Sequence, residues 1–285
     1  MSTILVTGAS GFIGHALTQS LAAKHTVIAM SRHAPKPKLD VAFVRGDFQC
    51  FEALQALNRF AIDTAVHLAA VTGGCSERDG IMVNVEGTRV LMRYLMDHGC
   101  RKFVLASSIA AVGFQSVKFR PRQMPIPDEH PCLDRDGYGV AKYLMEEVTR
   151  YYSRQRPEID VINLRLASVC PDDPPPQLKT VCPIHEWHLG ALTIMLRSDA
   201  ARVFTAAAET PYKPGVRVMN ATGPKAWVKD PVAQILRGWY GTDVDVSHFE
   251  QAGHEFDSVY DVSRIRQELG FVAERTPDVV FGPAK

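Results

Sequence analysis

Tyr138-Gly139-Val140-Ala141-Lys142 sets a phenol and an ammonium four residues apart. On a helix that spacing puts both on one face, about one turn apart. A phenol is a poor base near neutrality, its ordinary pKa being about 10. A lysine cation beside it, with a second positive charge nearby, favours the phenolate and makes proton transfer workable. The spacing alone is common by chance. Ser107-Ser108, thirty residues upstream at the end of an apolar run, gives it meaning, because a hydroxyl there can hold a substrate oxygen beside the tyrosine.

A second constellation opens the chain. In Val6-Thr7-Gly8-Ala9-Ser10-Gly11-Phe12-Ile13-Gly14 the glycines recur every third residue, between a β-branched run and an amphipathic stretch. A helix N-terminus offers unpaired N–H groups and a partial positive charge, which suits a pyrophosphate. Glycine removes the Cβ that would block the approach of that phosphate, and the last one lets helix pack on strand. The next strand ends in Ser31-Arg32, with no acid. A carboxylate there would hold the ribose hydroxyls of NAD, whereas a serine and a guanidinium can bind a 2′-phosphate. NADP is therefore expected over NAD. Asp47, after the third strand and before Phe48, can accept from an adenine amino group, or simply serve a turn. Lys36 and Lys38 either add charge near the phosphate or belong to a solvated loop.

The elements that must position these groups alternate. Strands are expected at Thr3–Val6, Thr26–Met30, Ala42–Val44, Thr64–Leu68, Lys102–Ala106 and Val161–Leu166. Helices are expected at Phe12–Ala23, Cys50–Arg59, Val83–His98 and Tyr138–Arg154. Near-continuous apolar strands alternating with helices imply an α/β, doubly wound parallel sheet covered on both faces. The run Pro171-Asp172-Asp173-Pro174-Pro175-Pro176 can be neither helix nor central strand. It divides the chain into a dinucleotide-binding domain over 1–170 and a small substrate lobe over 171–285 that does not fold alone. In that lobe helices are expected near Trp187–Leu196, Pro231–Tyr240 and Val262–Leu269, the last ended by Gly270, with a strand near Arg217–Asn220.

Bulk composition excludes several classes. The 285 residues carry a net charge of +1, so no basic field attracts nucleic acid or a membrane surface. No apolar run reaches the roughly 18 residues that span a bilayer. The N-terminus runs straight into Ile4-Leu5-Val6 with no basic region and no cleavage site, so no signal peptide is expected, and a cytoplasmic setting is. The six cysteines, Cys50, Cys75, Cys100, Cys132, Cys170 and Cys182, form no CxxC pair, and no metal site is expected. His185 and His188 have a zinc-compatible spacing but no evident third ligand.

Taken together, VTGASGFIG, His67-Leu68-Ala69-Ala70, Asn84, Ser107-Ser108, YGVAK and Leu164-Arg165 resemble, in order and spacing, the extended short-chain dehydrogenases/reductases, also called the NAD-dependent epimerase/dehydratase superfamily. Val218-Met219-Asn220-Ala221-Thr222-Gly223 and Tyr260-Asp261-Val262-Ser263 resemble landmarks of that superfamily's C-terminal lobe. The resemblance implies a Rossmann fold and a nicotinamide cofactor. It makes Tyr138 the acid/base, Lys142 the group that holds the nicotinamide ribose and lowers the tyrosine's pKa, and Ser108 the group that orients substrate. Gly8, Ser10, Gly11, Phe12, Ile13, Gly14, Ser31, Arg32, Asp47, Phe48, Leu68, Ala69, Ala70, Asn84, Ser107, Tyr138, Lys142 and Ala167 would bind the cofactor. Thr72, Ser108, Ile109 and Ser168 would face the substrate. A homodimer through the helices near 83–98 and 138–154 is implied as well.

The reaction is narrowed by departures from subfamily patterns. Sugar-nucleotide dehydratases carry Asp-Glu after the catalytic hydroxyl, where this chain has Ile109-Ala110. Nucleotide-sugar epimerases often have an Asn where Ser168 stands. The Leu164-Arg165-x-x-Ser168 arrangement, with Thr72 upstream, is similar to compact dehydrogenases of free sugars or sugar acids. Uronate dehydrogenases, however, have Asn-His in place of Ile109-Ala110 and an arginine where Gln177 and Lys179 lie here. The expected function is oxidation or reduction of a secondary alcohol/carbonyl pair of a small sugar-like metabolite. A nucleotide-sugar epimerase is the first alternative, and a non-catalytic cofactor-binding regulatory protein the second. Arg120 and Arg122, in the insertion Phe114–His130, would contact an anionic substrate or lie on a surface loop.

Overall fold

The computed structural model describes residues 1–114, 116–180, 183–184, 190 and 192–282. Its strands are β1 Thr3–Thr7, β2 Thr26–Ser31, β3 Ala42–Arg45, β4 Thr64–His67, β5 Lys102–Ser108, β6 Asp160–Leu166, β7 Ser168–Cys170, β8 Ile194–Leu196 and β9 Gly215–Ala221. The main sheet runs β3-β2-β1-β4-β5-β6-β9, and β7 and β8 pair separately. Every pairing between these strands is parallel. The doubly wound parallel sheet expected from the alternation of elements is the fold observed.

The longer helices among the described residues are α1 Phe12–Ala22, α2 Gly87–Asp97, α3 Gly137–Gln155, α4 Arg197–Glu209, α5 Val232–Tyr240 and α6 Ser263–Leu269, of which α5 packs away from the sheet. Successive strand residues point to opposite faces. Ile4 and Val6 therefore join Leu17 and Leu21 of α1 and Phe204 of α4, while Leu5 joins Leu91 and Leu95 of α2 and Met145 of α3. Two buried faces explain why the strands read as unbroken apolar runs.

Several boundaries depart from expectation. The stretch Val83–His98 is not one α-helix, because Gly80–Glu86 is wound as a π-helix that passes into α2. Cys50–Arg59 is a short α-turn, Phe51–Leu54, continued by a 3₁₀ turn over Gln55–Leu57. Of the helix expected at Trp187–Leu196, residues 187–189 and 191 lie outside the described residues, and Ile194–Leu196 is strand β8. All three β8 residues are buried, which a one-sided helix at this place would not allow. A helix runs from Arg197, and its stripe Ala200, Val203, Phe204, Ala207 has helical spacing and faces the sheet. Residues beyond 170 thus supply both α4 and β9 to the layers of the main sheet.

The insertion Phe114–His130 is no mere surface loop. Phe114, Phe119 and Ile126 are fully buried in a third core with Val232, Leu236, Phe249 and Tyr260. Arg120, read either as a substrate contact or as a surface residue, is exposed, stacks over the Tyr240 ring at 4.4 Å and donates to the carbonyls of Val117 and Phe119. Among the described residues no helix is long and apolar enough to cross a membrane.

Candidate active site

β1 and β4 are neighbours from which the chain winds outward in opposite directions, so a crevice opens beyond their carboxyl ends. Gly8 lies there with φ +68°, a conformation that L side chains rarely adopt. A Cβ on Gly8 would stand 2.8 Å from the backbone nitrogen of Ala69, and one on Gly14 only 2.1 Å from the Gly8 carbonyl oxygen. Gly11 donates its N–H to that same oxygen at 2.9 Å and caps α1 without any side-chain bond. The first turn of α1 therefore keeps open N–H donors above a floor that only backbone can form.

Above it lies a cavity of about 510 Å³. Gly8, Ser10, Gly11, Phe12, Ile13, Gly14, Ser31, Arg32, Asp47, Phe48, Leu68, Ala69 and Ala70 line it, as does Thr72. His33, Gln49, Val83 and Val169 line it too and were missed. The first two directly follow Ser31-Arg32 and Asp47-Phe48, so a strand-end reading extended by one or two residues would have found them. The volume and the glycine floor fit a dinucleotide. The Ser31 hydroxyl donates to the His33 carbonyl at 2.7 Å and so has no proton for a 2′-phosphate. Arg32, by contrast, is exposed at the cavity wall. One carboxylate oxygen of Asp47 accepts from the backbone N–H and side-chain amide of Gln49.

A buried relay holds the β4 side of the crevice. Thr88 donates to the Asn84 carbonyl at 2.6 Å, which leaves its oxygen to accept from His67 Nε2 at 3.0 Å. His67 Nδ1 must then accept from the Thr7 hydroxyl at 2.7 Å, and Thr7 in turn accepts from the Ala69 N–H at 3.3 Å. Burial, reinforced by the Lys142 cation, pushes the His67 imidazole down to about 3, so it is neutral. Asn84 uses its oxygen on the Val71 N–H and its NH₂ on the Val71 carbonyl. It thus shapes the wall from behind and does not line the cavity, contrary to the expected cofactor contact.

Strand β5 and helix α3 bring the other set together. Asp136 accepts from the N–H groups of Tyr138 and Gly139, fixing the start of α3. Lys142 is buried and donates to the carbonyl of Ala106, a cavity-lining residue, at 2.7 Å. Its Nζ stands 5.7 Å from the centre of the Tyr138 ring. The chain's own groups do not depress the Tyr138 pKa, so the expected depression rests on the second positive charge, that of the nicotinamide. Burial pushes the phenol up to about 12, against a lowering hydrogen bond from the Ser108 side chain. Burial also pushes Lys142 down to about 8, with Glu146 opposing.

Behind this set lies a buried ionic frame. Glu146, one turn beyond Lys142, accepts from Ser107 Oγ at 2.6 Å and from both Nε and Nη2 of Arg165 at 2.9 Å. Arg165 Nη1 donates to the Asp128 carbonyl at 3.0 Å. The Ser107 hydroxyl is therefore turned into this frame, which leaves its backbone for the expected cofactor contact. Ala167 and Ile109 are buried in the third core and do not line the cavity. Ser168 donates to the Gly190 carbonyl at 3.4 Å. Lys36 and Lys38 are exposed and off the cavity wall. His185 and His188 lie outside the described residues.

Residues 4–209 match the family described as NAD dependent epimerase/dehydratase. UDP-glucose 4-epimerase 2 of Oryza sativa subsp. japonica is 31% identical over 185 residues, which cover 57% of this chain and 43% of that protein. A UDP-glucose 4-epimerase of Halalkalibacterium halodurans is 32% identical over 155 residues, 51% of this chain and 44% of that one. The chain thus spans about half the length of the curated relatives it matches. Among solved structures, a short-chain dehydrogenase/reductase superfamily protein of Agrobacterium tumefaciens with bound NAD has TM-score 0.72 at 22% identity, covering 98% of this chain and 94% of that one. UDP-glucose 4-epimerase of Bifidobacterium longum in complex with NAD⁺ and UDP has TM-score 0.73 at 20% identity, covering 99% and 97%. At these identities the structural likeness concerns the fold.

Proposed function

The chain belongs to the NAD dependent epimerase/dehydratase family, and from that premise we propose that it inverts a secondary alcohol of a nucleotide sugar by transient oxidation. The observation that carries a redox reading is geometric. The glycine-floored cavity and the Ser108, Tyr138, Lys142 set meet at Ala106, whose carbonyl receives Lys142. The nucleotide-sugar reading draws its support from relatives that are UDP-glucose 4-epimerases.

Gly8, Gly11 and Gly14 would hold the pyrophosphate, and Leu68-Ala69-Ala70 would pack along the cofactor. When bound, the nicotinamide supplies hydride exchange at the carbinol carbon. Tyr138 takes the hydroxyl proton as that carbon is oxidised and returns one when it is reduced. Ser108 holds the substrate oxygen, and Lys142 keeps further N–H donors for ribose hydroxyls. Ile109 and Ala110 are buried and apolar, so they move no proton for elimination of water. A homodimer through α2 and α3 accompanies this reading.

Net oxidation of a smaller sugar-like alcohol is the second reading. It is favoured by Ser168 at the place where related epimerases often carry Asn, and by a match confined to about half of each epimerase. The two readings separate in one assay with UDP-glucose and a panel of free sugars. Isomer formed without net reduced cofactor supports epimerisation, and accumulating reduced cofactor supports dehydrogenation. Tyr138→Phe should lower turnover by roughly 10²–10⁴-fold, and unchanged turnover would remove its catalytic role.

A further inference from the structure

His248, His254 and Asp257 converge in the C-terminal lobe, where one ligating atom of each lies within 4.8 Å of the others. Asp257 Oδ2 receives His248 Nε2 at 3.0 Å and His254 Nδ1 at 2.6 Å. Its other oxygen, Oδ1, is held by Lys225 Nζ at 2.8 Å. All four side chains border a second cavity of about 390 Å³, which shares no lining residue with the first.

The backbone that carries these groups is pinned. Ser258 donates to the Pro224 carbonyl and Ala226 to the Phe256 carbonyl, each at 2.9 Å. Val232 donates to the Glu255 carbonyl at 2.9 Å, and buried Phe249 anchors the 3₁₀ turn that bears His248. The three groups are therefore presented together by fixed chain and do not meet by chance at the tips of mobile loops.

We propose that His248, His254 and Asp257 form a binding site for a divalent transition ion of the zinc class. The ligands are His248 Nε2, His254 Nδ1 and Asp257 Oδ2, and a water on the cavity side takes the fourth position. Two imidazoles with one carboxylate suit a borderline ion, whereas magnesium and calcium require mostly oxygen ligands. Bonds of about 2.0–2.1 Å in a tetrahedron place ligand atoms about 3.3 Å apart. The 3.0 and 2.6 Å distances to Asp257 Oδ2 need to open by well under an ångström, and the two imidazole nitrogens, which lie within 4.8 Å of each other, need to close on the same point. Lys225 keeps Oδ1 engaged, so Oδ2 is the oxygen turned to the ion, as a neighbouring donor commonly orients a ligating carboxylate. A bound ion would tie the 3₁₀ turn that bears His248 to the chain at His254–Asp257. The site is independent of the proposed redox reaction.

The test is Zn²⁺ titrated into the full chain after EDTA treatment and dialysis, followed by calorimetry and by thermal unfolding. One ion per chain at micromolar Kd and a raised Tm are expected. With Co²⁺ as the probe, the strong visible bands of a tetrahedral site are expected. His254→Ala, at a partly exposed side chain, should leave the metal-free Tm close to that of the parent. It should raise the Kd at least tenfold, about the scale of losing support at a metal site, and abolish the cobalt bands. His254→Gln, which keeps a hydrogen-bonding group beside Asp257, serves if the alanine variant is poorly folded. No saturable binding, or binding unchanged in both His254→Gln and Asp257→Asn, would overturn the site and leave a three-way hydrogen-bond cluster in its place.

Discussion

Glu146 grips the guanidinium of Arg165 on two nitrogens at 2.9 Å each, with both side chains buried. The same carboxylate takes the proton of Ser107, next to Ser108, and sits one helical turn past Lys142. One ionic pair thus sets the relative position of β5, α3 and β6 directly behind the reacting groups. Removing one partner of a buried pair leaves a charge without compensation and costs roughly 3–5 kcal/mol. Glu146→Leu should therefore lose about that much in urea unfolding. Glu146→Leu combined with Arg165→Met, which removes both charges, should recover a large part of it. If the double variant is as unstable as the single, packing and not charge explains the loss.

Gly14→Ala should be far more harmful than its size suggests. The new methyl would stand 2.1 Å from the Gly8 carbonyl oxygen, which is backbone and cannot swing aside. A loss of roughly 1–3 kcal/mol in stability is expected from the forced shift, together with weakened dinucleotide binding in a fluorescence titration. Gly238→Ala supplies the contrast. It lies within α5, where an added methyl would meet nothing within 4 Å, and should be neutral or stabilise by about 0.5–1 kcal/mol.

Arg32→Ala tests cofactor choice. Since the Ser31 hydroxyl is occupied by the His33 carbonyl, Arg32 is the charged side chain at this wall for a 2′-phosphate to meet. NADP affinity should drop at least tenfold while NAD affinity changes little, as measured by calorimetry with each dinucleotide. A charge-assisted hydrogen bond of roughly 1.5–3 kcal/mol sets that scale. Equal losses for both would remove the argument for NADP.

His67 links stability to pH. Its pKa is about 3 in the folded protein against 6.5 in the unfolded chain, with burial the leading cause and Lys142 the second. Below 6.5 the unfolded chain takes up a proton that the folded one refuses, so stability falls as the pH drops through that window. The contribution is fully present above 6.5, and its steepest loss is about 1.4 kcal/mol per pH unit. Imidazole nitrogen shifts should show His67 neutral at pH 5. A protonated ring there would contradict the Thr7–His67–Thr88 relay.

Much of this was legible because local pattern and tertiary context agree. The apolar runs of β1, β2, β4, β5 and β6 are buried on both faces, and the glycine floor follows from Gly8 and Gly14, where only hydrogen fits, with Gly11 tight between them. Side chains that use their polar atoms inward were harder to read. Ser107, Asn84 and Ser31 each have the right chemistry for a ligand, yet Glu146, Val71 and His33 take their hydrogen bonds. Those partners come from elsewhere in the chain or from the backbone, and spacing does not reveal them. Helix α4 escaped because its alanine-rich stripe is weakly apolar, and its burial comes from α1 across a long sequence separation. The high phenol pKa of Tyr138 escaped for a similar reason. The pattern Tyr-x-x-x-Lys gives proximity but not the burial of both groups.

Strand β9 lies along β6 over its whole length, from Asp160 opposite Gly215 to Leu166 opposite Ala221. All seven residues of β6 are buried. A chain cut after Glu209, near the end of the family match, would strip that cover and leave an apolar rim of unpaired N–H and C=O groups. Such a rim is a template for pairing with any other extended chain. The last quarter of the sequence thereby covers the edge that β6 would otherwise present, whatever ligand its own lobe holds.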